Sequence, residues 1–313
     1  MKDELLKISQ QATASTAGRV IFELEPGYRY KSLCLQLISV TGSLVAANYA
    51  TDSFLRVNGT VQRQVTPAEI DGLNFLNNPP SATLGTAAAT PYSMYNAANP
   101  GPAQLEWYFQ EPWVPQFDAS QAYALDLLPG DTASVEVGFV SSTAAPIVRV
   151  FCDREPLADV IASGRRINRV DPRTGIPSTA AGSRPTLVKQ FKFNTTPGAI
   201  THDITQLNRS FSSRDVLQHI RLTDPASRTI EEVQVVVNKR EIFKRTKFAN
   251  QKELRSQMMN PLTGFYDIDL NSTSDPRDGV EVGPSDDLLI RMTFDASATG
   301  NVAGIIQAFG PAN

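Results

Sequence analysis

Phe54 to Leu73 reads FLRVNGTVQRQVTPAEIDGL, and Val235 to Ser256 reads VVVNKREIFKRTKFANQKELRS. Each stretch opens on an alternating apolar run, Leu55/Val57 in one and Val235/Val237 in the other, the period of a half-buried strand. Each then reaches an asparagine, and Asn238 follows Asn58 by 180 positions. Asn58-Gly59 is the signature of a two-residue type I′ hairpin, because both central residues need positive φ. Asn238-Lys239 suits that turn less well and predicts a wider one. After a returning strand, Thr66-Pro67-Ala68-Glu69 forms a capping box with proline at the first helical position, where its missing N–H costs nothing. Asn250-Gln251-Lys252-Glu253 offers the same geometry 184 positions later. A chain that carries one device twice is constrained to a duplicated fold.

Two further landmarks keep the same order. YALDL at Tyr123 to Leu127 recurs as YDIDL at Tyr266 to Leu270, an offset of 143, and VEVGF at Val135 recurs as IRMTF at Ile290, an offset of 155. The changing offsets locate insertions. Asn58 to Tyr123 spans 65 positions and Asn238 to Tyr266 spans 28, so the first copy carries 37 extra residues around NNPPSATLGTAAATPYSMYNAANPGPA. Tyr123 to Val135 spans 12 and Tyr266 to Ile290 spans 24, so the second copy carries 12 extra, in NSTSDPRDGVEVGPSDD. Both have loop composition, and loops tolerate length where cores cannot.

Short apolar runs separated by Gly, Pro, Asn, Asp and Ser fill each half and read as strands. With 313 residues, about two domains are expected. The fold class is therefore all-β: two tandem eight-stranded jelly rolls, each with a short helix after a hairpin. The expected boundaries are an N-terminal segment at 1–16, a first jelly roll at 17–155, a Pro/Gly/Ser-rich linker at 156–186 and a second jelly roll at 187–313. Met1, Leu5, Ile8 and Ala12 fall at helical spacing and predict a short amphipathic helix. Such a helix is marginal alone and would order against its own domain, a neighbouring subunit or a membrane surface.

Net charge is −3, so no large positive field coats nucleic acid. Lys2 and Lys7 are offset by Asp3 and Glu4, unlike a basic genome-binding arm. Cys34 and Cys152 are the only cysteines, and their apolar settings predict two buried thiols. No apolar run reaches membrane-spanning length and the N-terminus lacks a signal-peptide pattern, so neither export by that route nor a spanning helix is expected. No enzyme is expected, and no cofactor or metal site. His202 and His219, the only histidines, stand 17 apart, and no P-loop, HExxH, GxSxG or CxxC motif is present. Asp126 and Asp269 recur in the two DL strands, which points to a structural role. Asp275, Asp278, Asp286 and Asp287 are a Ca²⁺ candidate, against the plainer reading of acidic loop residues. Trp107, Tyr108, Phe109, Trp113 and Phe117 suit a sugar-stacking platform, though core or interface packing is the favoured reading. Arg165, Arg166, Arg169 and Arg173, and again Lys239, Arg240, Lys244, Arg245 and Lys247, read either as solvated faces or as contacts with phospholipid headgroups or acidic neighbours.

The LRVNG hairpin leading to TPAEI, echoed by VVVNKREIF leading to NQKEL, resembles the double jelly-roll major capsid proteins of tailless icosahedral viruses, in the length range of the bacteriophage members with an internal membrane. The resemblance implies a homotrimer with a pseudo-hexagonal footprint that self-assembles with neighbouring trimers into a virion shell, put together in the host cytoplasm. It also implies partners in a vertex protein and an internal membrane surface, and no sequence-specific nucleic acid. Met1, Leu5 and Ile8 become candidates for inner-face or membrane contact. Tyr92, Met94 and Tyr95, in the long insertion, become candidates for tower-loop contacts, against a passive loop or receptor contact. Two alternatives stay open: a carbohydrate-binding or glycan-processing double jelly roll, and a minor vertex or spike protein of the same virus class.

Overall fold

A computed structural model describes residues 3–10, 18–39, 52–77, 103–114, 120–139, 146–174, 176–205, 207, 211–212, 214–225, 228–271, 275 and 278–312. The chain divides into two compact units, Met1–Leu187 with Pro311–Asn313, and Val188–Gly310.

The first unit runs β1 (Asp3–Gln10), β2 (Gly18–Leu24), β3 (Tyr28–Ser39), β4 (Ser53–Val57), β5 (Thr60–Val65), α1 (Pro67–Leu76), β6 (Ala103–Tyr108), β7 (Leu125–Asp126), β8 (Ala133–Phe139), β9 (Pro146–Pro156), α2 (Leu157–Ala162) and β10 (Arg169–Val170). One sheet has the order β1-β9-β3-β6, with β7 also on β3; the other has β2-β8-β4-β5. The second unit takes up β11 (Arg184–Thr195) and continues β12 (Thr201–Ile204), β13 (Asp215–Thr223), β14 (Ile230–Val237), β15 (Arg240–Thr246), α3 (Lys247–Ser256), β16 (Phe265–Asp269), β17 (Val280–Val282), β18 (Leu288–Phe294) and β19 (Val302–Pro311). Its sheets are β16-β13-β19-β11 and β12-β18-β14-β15. In the first unit β1 pairs with β9 and β2 with β8, and in the second β11 pairs with β19 and β12 with β18, so the chain passes back and forth between two sheets. That is jelly-roll connectivity.

Alternation places the cores. In β4, Ser53, Leu55 and Val57 are buried while Phe54 and Arg56 are half-buried, and in β18 Leu288, Ile290, Met292 and Phe294 are buried around an exposed Arg291. The second unit gathers Leu217, Ile220, Val233, Val235, Ile268 and Ile306 into one cluster. In the first, Phe22, Leu33, Leu35, Trp107, Phe109 and Tyr123 are almost wholly removed from water. Each such side chain contributes roughly 1.5–3 kcal/mol on burial.

Three expectations are corrected here. The first residues form a strand: Asp3–Gln10 pairs antiparallel with β9, from Asp3↔Asp153 to Gln10↔Ile147, and holds the place in its sheet that β11 holds in the second unit. An isolated short helix has nothing to stabilise it, whereas a sheet edge offers a row of backbone groups that need partners. Leu5 and Ile8 lie in that strand; Met1, Tyr92, Met94 and Tyr95 lie outside the described residues. The second hairpin turn is as tight as the first. Val57↔Thr60 and Val237↔Arg240 close the two turns, with φ of 49° and 80° at Asn58 and Gly59 and of 50° and 65° at Asn238 and Lys239. Lysine simply bears the strain that glycine avoids. The second helix is capped by Thr246, whose hydroxyl accepts from the Ala249 N–H at 3.4 Å, so the 180-residue offset holds from turn to helix. Asn250 is instead buried within α3 and donates from Nδ2 to the Asp267 carbonyl. At Thr66 the capping box is complete, the hydroxyl accepting from Glu69 N–H at 3.3 Å and the Thr66 N–H donating to Glu69 Oε2 at 2.7 Å.

Lys239 in the left-handed region makes a direct prediction. Lys239→Gly should stabilise the chain by about 1 kcal/mol, the cost of a side chain there less the extra entropy of glycine. Gly59→Lys should lower stability by a similar amount. Chemical denaturation of both variants checks the pair of opposite signs.

Candidate functional site

The feature that recurs most faithfully between the two units is a clamp at the hairpin turn. Asn58 donates its backbone N–H to the Thr132 carbonyl at 2.7 Å, its Nδ2 donates to Asp131 Oδ1 at 3.2 Å, and its Oδ1 accepts from the Thr132 N–H at 2.9 Å. Asp131 Oδ2 accepts from the Leu128 N–H at 2.8 Å. In the second unit Asn238 N–H donates to the Asp287 carbonyl at 2.8 Å, Nδ2 to Asp286 Oδ1 at 2.8 Å, and Oδ1 accepts from Asp287 N–H at 3.0 Å. Asp286 Oδ2 accepts from the Gly283 N–H at 2.6 Å. The same bonds thus fasten the β4–β5 turn to the loop entering β8, and the β14–β15 turn to the loop entering β18. Asparagine does two things at once: it tolerates positive φ and its amide bridges to the neighbouring loop. The Asn238 amide and then the Gly283 N–H hold the Asp286 carboxyl below the usual carboxylate range.

A buried ion pair also recurs. Arg29 meets Asp126 through Nε to Oδ1 and Nη2 to Oδ2, both at 2.7 Å, across the β3–β7 register, and both side chains are fully buried. Arg221 meets Asp267 through Nε to Oδ1 at 2.6 Å and Nη2 to Oδ2 at 3.1 Å, across the β13–β16 register. The counterpart of Asp126 is therefore Asp267, not Asp269, which corrects the pairing read from YALDL and YDIDL. Shifting a carboxylate two positions along a strand keeps it on the same face, so the string comparison aligned the wrong member of a pair. Burial alone would push the Asp267 carboxyl up, but the Arg221 charge and His219, whose Nε2 lies 3.4 Å from Oδ1, outweigh it and hold the group well below its ordinary value. Burial raises the neighbouring Asp269. A third buried pair lies in the second unit: Lys189 Nζ donates to Asp215 Oδ1 and Oδ2 at 2.9 and 3.0 Å and to Ser212 Oγ at 3.0 Å. Gly310 passes so near that a Cβ there would lie 2.0 Å from Asp215 Oδ1.

The stretch 156–186 is folded onto the first unit. Asn168 donates its N–H to Asp126 Oδ2 at 2.7 Å and its Nδ2 to the Gln121 and Ala124 carbonyls. Arg169 is buried, bonded to Asp131 Oδ2 and to the Asp126 and Ser183 carbonyls. Arg165 forms a bidentate pair with Glu155 at 2.9 and 2.8 Å. The basic stretch in this region is thus neither a solvated face nor a lipid contact as a whole, since two of its four cations are committed internally. In the second basic stretch, Lys244 pairs with Glu232, Arg245 with Glu253 and Lys247 with Asp224.

The remaining candidates do not converge on chemistry. Trp107 and Phe109 are core residues and Tyr108 stacks edge-on against Trp113 at 5.6 Å, so the described aromatics do not form one exposed platform; Phe117 lies outside the described residues. His202 contacts the Thr195 hydroxyl. Cys152 is buried and Cys34 half-buried, and neither is in a disulfide. Among the described residues no group of three His, Cys, Asp or Glu side chains is placed to hold a metal ion; the Asp286 carboxylate is occupied by the turn clamp, which Asp287 joins through its backbone. The loop motif LPGDT/GPSDD was the signal that would have revealed the clamp, since it stands at the same 155-residue offset as VEVGF and IRMTF.

The ion pairs set an acid limit. A carboxyl whose folded value is depressed, as at Asp267, stabilises the fold above its unfolded value near 4 and loses that contribution as pH falls below it. Thermal melts should therefore show stability falling as pH drops below about 4. Asp267→Asn, which strands the buried Arg221, should cost about 3–5 kcal/mol at pH 7 and make the acid limb shallower.

Residues 186–306 match the family model of the viral coat protein P2 C-terminal domain. The chain is also similar to solved structures: the major capsid protein P2 from bacteriophage PM2 (13% identity over 100% of this chain and 98% of that one, TM-score 0.70), a chain of Sulfolobus Turreted Icosahedral Virus (12%, 98% and 90%, TM-score 0.61) and the PBCV-1 virus capsid (11%, 100% and 97%, TM-score 0.57). A search of curated protein sequences finds no match. Identities this low carry the fold rather than the details, and with the two repeated four-stranded sheet pairs they establish that this chain has the double jelly-roll fold of icosahedral-virus major capsid proteins, its second unit matching the viral coat protein P2 C-terminal domain.

Proposed function

We propose that the chain is a major capsid protein that self-associates into an icosahedral virion shell. The single observation that carries this reading is the duplication itself: two jelly rolls with the same strand order, the same turn clamp and the same buried Arg–Asp pair. Two similar units per chain and three chains per ring supply six similar edges, which is what a pseudo-hexagonal tile needs, and closed symmetry makes a homotrimer the economical way to present them. The solved structures that share this fold along nearly the whole chain include capsid proteins. This role needs no catalytic chemistry: the buried Arg29–Asp126 and Arg221–Asp267 pairs are engaged with one another and serve to fix register.

The finer features belong to the same proposal. The loop holding Tyr92, Met94 and Tyr95 would stand outward and pack against neighbouring loops, consistent with the rule that insertions of this length are commonly functional. An inner face at Met1, Leu5 and Ile8 would meet an internal membrane or its proteins. A vertex protein would be a further partner, and assembly would take place in the host cytoplasm. The glycan-binding alternative loses its motivation once Trp107 and Phe109 are in the core.

Native mass spectrometry of the purified chain across a range of concentrations tests the proposal. Trimers, or larger multiples of three, are expected. A chain that stays monomeric at every concentration and salt condition overturns it.

A further inference from the structure

The two turn clamps are built from the same bonds and differ in the residue that follows the asparagine. Asn58 is followed by Gly59, the only Asn-Gly pair in the 313 residues, whereas Asn238 is followed by Lys239. Both turns are exposed, and all four residues have positive φ. An asparagine amide is chemically labile when the next backbone nitrogen can reach its Cγ, and glycine obstructs that approach least because it carries no Cβ. A Cβ built on Gly59 would meet no atom within 4 Å, so crowding at that position does not shield the Asn58 amide.

The clamp does hold it. Oδ1 accepts from the Thr132 N–H at 2.9 Å and Nδ2 donates to Asp131 Oδ1 at 3.2 Å, so both polar atoms of the amide are fastened to the loop entering β8. Swinging Cγ onto the Gly59 nitrogen breaks both bonds, and losing even one net hydrogen bond disfavours the open turn by up to about tenfold. In the open turn the Gly59 nitrogen, its proton taken by solvent hydroxide, attacks Cγ. The N–Cγ bond forms, the Cγ–Nδ2 bond breaks, and Nδ2 leaves as ammonia with a proton from water. A water then opens the five-membered imide, at Cγ to give aspartate or at the α-carbonyl to give isoaspartate. One water is consumed and one ammonia released, and no other reactant is needed.

Neither product closes the clamp again. Where Nδ2 donated, a carboxylate oxygen now faces Asp131 Oδ1, and two like charges at the former 3.2 Å separation repel. Asp131 is not free to turn away, since its other oxygen accepts from the Leu128 N–H and from Arg169 Nη1. In isoaspartate the main chain is also one methylene longer, which a two-residue turn closed at Val57↔Thr60 does not fit.

We propose that Asn58 is a site of spontaneous deamidation guarded by its own clamp, which holds the amide off the Gly59 nitrogen while closed and is lost irreversibly once the amide is hydrolysed. The first unit thus carries a one-way latch on its register, and Lys239 leaves the second unit without one. This inference concerns the integrity of the first unit and stands apart from the shell-forming reading.

The test follows amide-to-acid conversion in the full chain, held at mildly alkaline pH either folded or in urea. Peptide mapping by mass spectrometry reads each asparagine, and isoaspartate methyltransferase labelling is the second readout. Asn58 should convert in both states, at least about tenfold faster in urea, where the clamp is open. Asn238 should lag far behind it in urea. Gly59→Lys, which copies the second turn, should stop conversion at Asn58, and Lys239→Gly should start it at Asn238. Adding Asp286→Ser to Lys239→Gly removes the acceptor of the Asn238 Nδ2 and should raise the folded-state rate there by up to about tenfold. Asn58→Asp, one of the two products, should lower the melting temperature by a few degrees. An Asn58 that stays intact in urea overturns the site. Equal rates in the folded chain and in urea overturn the guard, and an unchanged melting temperature for both Asn58→Asp and the aged chain overturns the latch. Should Gly59→Lys fail to fold, Lys239→Gly with and without Asp286→Ser decides alone.

Discussion

Each unit depends on an asparagine held at positive φ in a hairpin turn, with its amide bonded to the loop that leads into the next strand of the same sheet. The turn sets the register of one pair of strands, β4 with β5 and β14 with β15, because a one-residue slip would turn every side chain to the wrong face. The amide then ties that turn to the loop before β8 or β18, the neighbouring strand on the other side. Three strands of a four-stranded sheet are aligned by one side chain. The apolar alternation can only bury a core once that alignment is in place, so the hydrophobic contribution follows from the clamp.

The buried Arg–Asp pairs act on the facing sheet. Such pairs add little net stability compared with well-packed apolar residues, because each ion gives up its hydration. They are intolerant of error, however: an Arg29 left without Asp126, or an Arg221 without Asp267, is a buried unpaired charge. In this chain both pairs lie directly across strands, so they penalise every register but one. Asn168 and the Arg166 carbonyl extend the first network into the stretch after α2, which explains why that Pro/Gly/Ser-rich segment is ordered on its unit.

The duplication was legible because strand period, turn chemistry and helix caps are local, and all three survive in both copies. The features that sequence alone does not reveal are set by tertiary partners. Asn250 looks like an N-cap until its amide is seen bonded to the Asp267 carbonyl, which no local pattern encodes. Asp269 matches Asp126 as a string, but only the strand register shows that Asp267 meets the arginine. The helical spacing of Leu5 and Ile8 was real, yet an open edge on β9 outcompeted a helix with no partner of its own. Lys239 was expected to widen its turn, and the clamp through Asn238 holds it tight regardless. Trp107 and Phe109 lie in the core, as rings of that size most often do.

The proposed shell-forming role rests on repetition more than on any one group: two units with the same strand order in one chain are parts for tiling. Electron cryo-microscopy of the assembled protein tests this most directly. The account predicts closed shells whose capsomers have a hexagonal outline, three chains each, with six jelly-roll lobes standing around the centre. Capsomers with one lobe per chain, or an assembly without threefold symmetry, would contradict it.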